Sequence, residues 1–129
     1  MGKPDWVHHR LFPLAVLACL CLSAAAARAQ DPVGVEAAFG NTIVSTYANG
    51  DTARLWLDRD GSYRGMGRRG DPSRGRWLEK DDKLCLRQVR PLPMPVAFCT
   101  PIVQQGVGAM WSATSVFGEP LTVALVAGR

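Results

Sequence analysis

Two strand-like segments decide the fold of this chain: Gly75-Arg76-Trp77-Leu78-Glu79 and Lys83-Leu84-Cys85-Leu86-Arg87, joined by the polar turn Lys80-Asp81-Asp82. The second segment carries Cys85, and Cys99 follows after a proline-rich connection. If the strands that carry these cysteines pair antiparallel, the two Cα atoms lie opposite one another at ~4.5–5.5 Å, which suits a disulfide. We therefore predict three neighbouring strands pinned by one covalent link.

The first 29 residues have the three parts of a secretory signal. A basic start precedes an apolar run over Leu14–Leu22, and Ala27-Arg28-Ala29 offers the small residues that a signal peptidase requires. We predict cleavage between Ala29 and Gln30, and hence a periplasmic or secreted protein. The apolar run is shorter than the roughly 20 residues of a spanning helix, which disfavours a membrane anchor. A lipid anchor at Cys19 is disfavoured by the sequence that precedes it.

Removal of the signal changes the charge balance. The whole chain has 15 basic and 11 acidic residues, whereas the chain from Gln30 onward has 12 basic and 10 acidic residues, a net charge of +2. Because this charge is small and its signs are mixed along the sequence, we expect neither nucleic acid nor an acidic membrane surface as a partner. We also expect no stable membrane span in the processed chain.

The predicted cleavage site also decides which cysteine and histidine residues remain in the processed chain. Cys19 and Cys21 leave with the signal, so Cys85 and Cys99 are predicted to form the disulfide of an exported domain. Both histidines also precede the cleavage site. The processed chain therefore lacks the residue on which most catalytic triads, general bases and zinc sites depend. We expect no enzyme, no catalytic residue, no cofactor and no metal site.

Alternating side chains and turn residues predict further strands on both sides of the opening segments. The eight predicted strands are Thr42–Tyr47, Thr52–Asp58, Ser62–Met66, Gly75–Glu79, Lys83–Val89, Val96–Cys99, Val107–Phe117 and Leu121–Ala127. We predict a single all-β domain over residues 41–129, an antiparallel meander that closes into a small barrel or folds into a sandwich. The last strand carries little charge, so we expect it to be central or barrel-closing.

The segment between the signal and the first strand, residues 30–40, has two interpretations. Val35-Glu36-Ala37-Ala38-Phe39 is long enough for one helical turn that ends at Gly40. Equally, the whole segment serves as a flexible lead-in without regular structure.

A series of short motifs runs through the domain: Asp60-Gly61-Ser62-Tyr63, Gly75-Arg76-Trp77, Lys83-Leu84-Cys85-Leu86, Phe98-Cys99 and Thr122–Arg129. The series resembles a class of small, uncharacterised exported proteins of proteobacteria that carry lipocalin-like or domain-of-unknown-function labels. The resemblance covers roughly residues 41–129. It implies a β-rich periplasmic domain and implies no activity.

Four side chains are candidates for ligand binding: Arg54, Trp56, Tyr63 and Trp77. In a barrel such aromatic side chains, together with Trp111, either line a cavity for an apolar ligand or fill the core. A second candidate is a group of basic residues around the loop at 67–73, Arg68, Arg69, Arg74 and Arg76. These arginines either bind an anion or remain solvated.

Three other motifs predict turns rather than sites. Asp58-Arg59-Asp60-Gly61 starts like a calcium loop but lacks the acidic ligand that should follow. Arg69-Gly70-Asp71 is ordinary turn chemistry, and the adjacent Asp81 and Asp82 lie in a turn instead of converging on a cleft.

The function predicted from these features is a non-enzymatic binding or interaction module, whose partner is a small ligand or an envelope protein. The alternative is an inhibitor of a hydrolase, such as a lysozyme or a protease. In that case the rigid segment Pro91-Leu92-Pro93-Met94-Pro95 would be presented to the enzyme.

Overall fold

The computed structural model describes residues 28–129 together with Gly2. The predicted signal peptide therefore lies outside the described residues, except for Gly2 and its last two positions. Ala29 and Gln30, on the two sides of the predicted cleavage site, are exposed and belong to neither a helix nor a strand.

One short helix and eight strands make up the described chain. They are α1 (Val35–Ala38), β1 (Thr42–Tyr47), β2 (Thr52–Leu57), β3 (Ser62–Met66), β4 (Pro72–Lys80), β5 (Lys83–Arg90), β6 (Phe98–Pro101), β7 (Met110–Thr114) and β8 (Pro120–Val126). The predicted all-β class and the number of strands are confirmed.

The strands form one antiparallel sheet in the order β6-β5-β4-β3-β2-β1-β8-β7. The sheet curls until its end strands, β6 and β7, lie against one another without joining the ladder, which gives a nearly closed barrel. Of the two predicted architectures, the barrel is the one present. β8 lies between β1 and β7 and is paired on both sides, which is the central position, one of the two expected from its low charge.

Several strand ends differ from the prediction; β6 is shifted by two residues from the predicted Val96–Cys99, and β4 and β7 differ by three residues at one or both ends. β4 begins at Pro72 because Pro72 and Ser73 pair with Met66 and Gly65 of β3, although both were predicted as loop. β7 ends at Thr114 because the hydroxyl of Ser115 accepts hydrogen bonds that form the next turn. In both places hydrogen bonding, and not local strand propensity, decided where the strand ends.

β7 also starts later than predicted, at Met110 instead of Val107. The N–H of Ala109 donates to the carbonyl of Gly106 at 3.1 Å, which makes a turn before the strand. Gly108 adopts a φ of 94°, a left-handed conformation that other residues avoid.

The helix α1 closes one end of the barrel. Val35, Ala37 and Ala38 are buried in the same apolar cluster as the inward-facing residues of the strands. The side-chain amide of Asn41 donates to the carbonyl of Ala37 at 2.7 Å and satisfies the end of the helix. Of the two interpretations of the lead-in, the structure has the helical turn.

The predicted disulfide is present. Cys85 of β5 lies directly opposite Cys99 of β6, with a Cα–Cα distance of 4.0 Å and an S–S bond. Asp81 and Asp82 both adopt positive φ in the exposed turn that precedes β5, as the sequence predicted for a solvated turn.

Candidate functional site

The barrel interior contains two adjacent apolar pockets, which we treat together as one cavity with a deep and an outer part. The deep part has a volume of about 100 Å³ and the part nearer the open end about 240 Å³. Five residues line both parts: Ser45, Leu55, Leu86, Phe98 and Leu121. Because side chains alternate along a strand, the same residues that form the core also line this cavity.

The end of the barrel opposite α1 is its mouth, which we define by four connecting segments: 48–51, 67–71, 91–97 and 115–119. Gly67 and Val116, from two of these segments, line the outer part of the cavity. The cavity therefore reaches the mouth, whereas α1 and its buried alanines block the other end.

Arg68 bridges the mouth. Its guanidinium lies 3.1 Å from a carboxylate oxygen of Glu119 and 4.3 Å from the centre of the Tyr47 ring. These contacts connect the β3–β4 segment to β1 and to the turn between β7 and β8. Because Tyr47 lines the outer part of the cavity, an arginine paired with a glutamate lies beside the opening.

The four residues predicted to bind a ligand do not form one site. Tyr63 and Trp77 face the inside of the barrel, where they belong to or pack against the core. Arg54 and Trp56 lie on β2 beside the inward-facing Leu55 and Leu57, so their side chains face outward. The fold therefore divides the four residues between the two faces of the sheet, and their role in ligand binding stays a prediction.

Trp77 and Trp56 have structural partners. The Trp77 indole donates to the carbonyl of Asp58 at 2.8 Å, and its ring lies 5.7 Å from that of Phe39. The Trp56 indole donates to the hydroxyl of Thr42 at 2.9 Å, and that hydroxyl donates to the carbonyl of Gly128 at 2.7 Å. Trp77 fills the end of the barrel near α1, and Trp56 links β2 to the C-terminal residues.

Tyr63 is 5% exposed, and burial raises the pKa of its phenol above 10.0. It lies opposite Gly75 in the β3–β4 ladder. Of the four predicted residues, Tyr63 and Arg54 line the outer part of the cavity, whereas Trp56 and Trp77 line neither part.

The predicted arginine group is also divided by the fold. Arg68 and Arg69 lie at the mouth, whereas Arg74 and Arg76 lie on the outer side of β4. There they join arginines of the neighbouring strands. We call the resulting surface the arginine face; it consists of five exposed residues, Arg64, Arg74, Arg76, Arg87 and Arg90.

Sequence reasoning missed this face. Its members come from β3, β4 and β5, and they become neighbours only through the ladder register, in which Arg74 pairs with both Arg64 and Arg90. The spacing of Arg74 and Arg76, two residues apart at the start of the predicted strand 75–79, was the available signal.

The proline-rich segment 91–97 is held by hydrogen bonds to β5. The N–H of Met94 donates to the carbonyl of Gln88 at 3.0 Å, and the Gln88 side chain donates to the carbonyl of Leu92 at 3.0 Å. Arg87 donates to the carbonyl of Pro95 at 2.8 Å. The segment exposes Leu92 and Val96, whose exposed fractions are 73% and 71%.

The calcium-like motif forms a hairpin turn. Asp58 accepts a hydrogen bond from Arg129 at 2.9 Å, and Asp60 accepts from both the hydroxyl and the N–H of Ser62. These bonds, chiefly the one from the Ser62 hydroxyl, lower the pKa of Asp60. Within residues 28–129, no group of three histidine, cysteine or acidic side chains is arranged to hold a metal ion.

Arg69-Gly70-Asp71 is a turn, as predicted. The N–H of Gly67 donates to the carbonyl of Asp71 at 2.8 Å, and Gly70 has a φ of 83°.

Comparison with known proteins identifies no relative: no protein-family model, no curated protein and no solved structure matches this chain. In the described part of the chain, no helix has the length and apolar character needed to cross a membrane.

Proposed function

We propose that this protein is a non-enzymatic binding module that takes a small, largely apolar ligand through the mouth of its barrel. The observation that supports this proposal is the pair of adjacent pockets inside the barrel, which share five lining residues and lie between α1 at one end and mouth residues at the other. A cavity with few polar groups and a charged residue at its entrance is typical of small-molecule sites.

The lining of the cavity limits the chemistry of the ligand. The deep part is surrounded mainly by apolar side chains, with Ser45 and Thr100 among its few polar groups. Its volume of about 100 Å³ admits only a slender group, such as part of an acyl chain or a single ring. A polar end of the ligand would remain at the mouth, within reach of Arg68.

Titration with the fluorescent apolar probe N-phenyl-1-naphthylamine tests this proposal. Ser45→Ile adds volume to the wall shared by both parts of the cavity and should weaken probe binding at least tenfold. Thr46→Ile is the matched control, because Thr46 is the next residue of β1 and faces outward. Equal weakening by both variants, or no binding to the wild type, would count against the cavity.

A periplasmic or secreted location is part of the proposal. The disulfide between Cys85 and Cys99 supports it, since such bonds persist in oxidising compartments. Mass spectrometry of protein recovered from the periplasm would test both location and processing. We expect a chain that begins at Gln30 and contains no free thiol.

The second candidate function is inhibition of a hydrolase by the proline-rich segment. The observation that favours it is the combination of three hydrogen bonds that fix the segment with the exposure of Leu92 and Val96. A fixed loop loses little conformational entropy on binding. Inhibition assays with a lysozyme and a serine protease test this function: Leu92→Asp should abolish inhibition, whereas Phe117→Asp, in another mouth segment, should not.

A further inference from the structure

We infer that the arginine face and the adjoining proline-rich segment together form a docking surface for an anionic lipid bilayer. This inference is independent of the cavity and holds whether or not the barrel binds a ligand. It rests on the arrangement of the arginines, on the lack of acidic partners for most of them, and on the apolar side chains beside them.

The arginines form two rows across neighbouring strands. Arg64, Arg74 and Arg90 are consecutive ladder partners on β3, β4 and β5. Arg76 and Arg87 are ladder partners in the next outward-facing row. Because paired strands are about 4.8 Å apart, the guanidinium groups are concentrated on a small area. Like charges directly opposite one another destabilise a sheet, so this arrangement has a cost in the isolated protein.

Acidic side chains leave most of this charge uncompensated. Of the five arginines of the face, only Arg64 has a carboxylate of the described residues within 4.0 Å, that of Asp58 at 3.8 Å. Arg76 and Arg87 donate instead to the carbonyls of Asp60 and Pro95, at 3.0 and 2.8 Å. A carbonyl orients a guanidinium without neutralising it. The face thus presents fixed positive charges to an anionic partner.

The proline-rich segment adds apolar contacts at the edge of the same face. Arg87 connects the two directly through its hydrogen bond to the carbonyl of Pro95. Leu92 and Val96 are among the most exposed apolar side chains of the described chain. A soluble polyanion would engage only the arginines. A bilayer engages both, because lipid phosphates bind the cations while apolar side chains enter the boundary with the acyl chains.

The small net charge of the processed chain concealed this surface. That charge of +2 led us to expect no acidic membrane surface as a partner. The fold separates many of the charges: acidic residues such as Asp51, Asp81 and Asp82 lie in turns, whereas the arginine face lies along the outer side of β3, β4 and β5. The local charge, which the register decides, governs association with a membrane surface.

Sedimentation with lipid vesicles tests the inference. We expect the protein to bind vesicles of phosphatidylglycerol and phosphatidylcholine in equal parts, to bind pure phosphatidylcholine vesicles far less, and to dissociate as salt is raised. Arg74→Gln combined with Arg90→Gln should weaken binding to the anionic vesicles roughly thirtyfold, the loss expected for two basic residues at such a surface.

Two controls accompany this experiment. Lys80→Gln with Lys83→Gln removes the same charge from the turn at the other end of the barrel and should leave binding within about twofold of the wild type. Arg74→Lys with Arg90→Lys keeps the charge and should retain most of the binding. If the glutamine variants of the arginine and lysine pairs weaken binding equally, net charge alone drives association and the inference is overturned.

The apolar contribution is tested with Leu92→Ser combined with Val96→Ser. This variant should bind anionic vesicles at least fivefold more weakly and bind inorganic polyphosphate as the wild type does. Met110→Ser, which changes an exposed apolar residue of β7, is the control and should have no effect. Two results would overturn the bilayer as the partner and favour a soluble polyanion. One is unchanged vesicle binding by the segment variant. The other is wild-type binding to polyphosphate that is as tight as binding to vesicles at equal phosphate concentration.

Discussion

Gly75 lies directly opposite Tyr63 in the β3–β4 ladder, and the Tyr63 ring occupies the space that a side chain at position 75 would need. A Cβ atom on Gly75 would lie 2.7 Å from Cε1 of Tyr63 and would overlap the carbonyl oxygen of Arg87. The register between β4 and β5 also shifts at this point, between Arg74 and Gly75. The glycine therefore allows the backbone of β5 and the tyrosine ring to approach β4 closely.

We expect Gly75→Ala to lower the free energy of unfolding by about 2 kcal/mol or more, because either β5 or the Tyr63 ring must move. Urea unfolding checks this value. Gly67→Ala is the matched control: an added Cβ would lie 3.6 Å from the carbonyl oxygen of Asp71, an ordinary contact. A change within about 0.5 kcal/mol is expected there. Similar losses for both variants would show that the ring does not require a glycine opposite it.

The disulfide should provide a substantial part of the stability of the domain. It closes a loop between residues 14 positions apart, for which the chain-entropy estimate is about 3 kcal/mol. Cys85→Ala with Cys99→Ala should lower the free energy of unfolding by that amount. Addition of a reductant should lower the stability of the wild type similarly and leave the double variant unchanged. A wild type insensitive to the reductant would contradict the prediction.

Stability should decline at alkaline pH through Tyr63. Burial raises the pKa of this phenol above its ordinary value of 10.0, so the folded state favours the neutral form. The stabilisation from this shift is complete below pH 10 and is lost as the pH rises through the raised pKa. Urea unfolding from pH 8 to pH 11 should therefore show a steeper loss for the wild type than for Tyr63→Phe. Parallel curves would exclude a contribution from Tyr63.

Asn41 should hold the two chain ends of the domain together. Its amide donates to the carbonyl of Ala37 at 2.7 Å, and its side-chain oxygen accepts from the N–H of Gly128 at 2.9 Å. Asn41→Ala should cost about 1–2 kcal/mol of unfolding free energy, since both bonds are lost. Gln105→Ala removes an exposed amide and should change stability by less than about 0.5 kcal/mol. Equal effects would mean that the Asn41 bonds are replaced by water without loss.

The pKa of Asp60 should depend on Ser62. The hydroxyl and N–H of Ser62 donate to the Asp60 carboxylate at 2.6 and 2.8 Å, and these bonds hold its pKa below the ordinary value of 3.8. Ser62→Ala removes the stronger cause and should raise the pKa, which NMR titration of the carboxyl carbon measures. Arg76→Gln, which removes only a weaker charge effect, should raise it less. The opposite order would contradict this assignment.

The fold was predicted well because its signals are local. The alternation of apolar and polar side chains in Thr52–Leu57 predicted which face of β2 points inward. Asn49-Gly50 predicted the hairpin turn between β1 and β2. The positions of Cys85 and Cys99 predicted the register of β5 and β6. Strand ends were predicted less accurately. Pro72 and Val107 show why: whether such residues belong to a strand depends on hydrogen bonds to a neighbour that the sequence does not identify.

The lining of the cavity could not be predicted for the same reason. The prediction grouped four residues by type: Arg54, Trp56, Tyr63 and Trp77. Whether a residue lines the cavity depends instead on which face of its strand it occupies and on which strands lie beside it. Leu86, Phe98 and Leu121 line the cavity, yet each has the ordinary pattern of a core residue. Nothing in their local sequence indicates that the barrel leaves space beside them.

The sequence by itself determined the all-β class, the number of strands and the disulfide, because periodicity, turn residues and cysteine placement act over a few positions. Only the tertiary structure decided that α1 closes one end of the barrel and that Arg68 stands at the other. It alone also placed Arg64, Arg74 and Arg90 in one row. The physical reason is register: pairing between strands sets which distant side chains become neighbours.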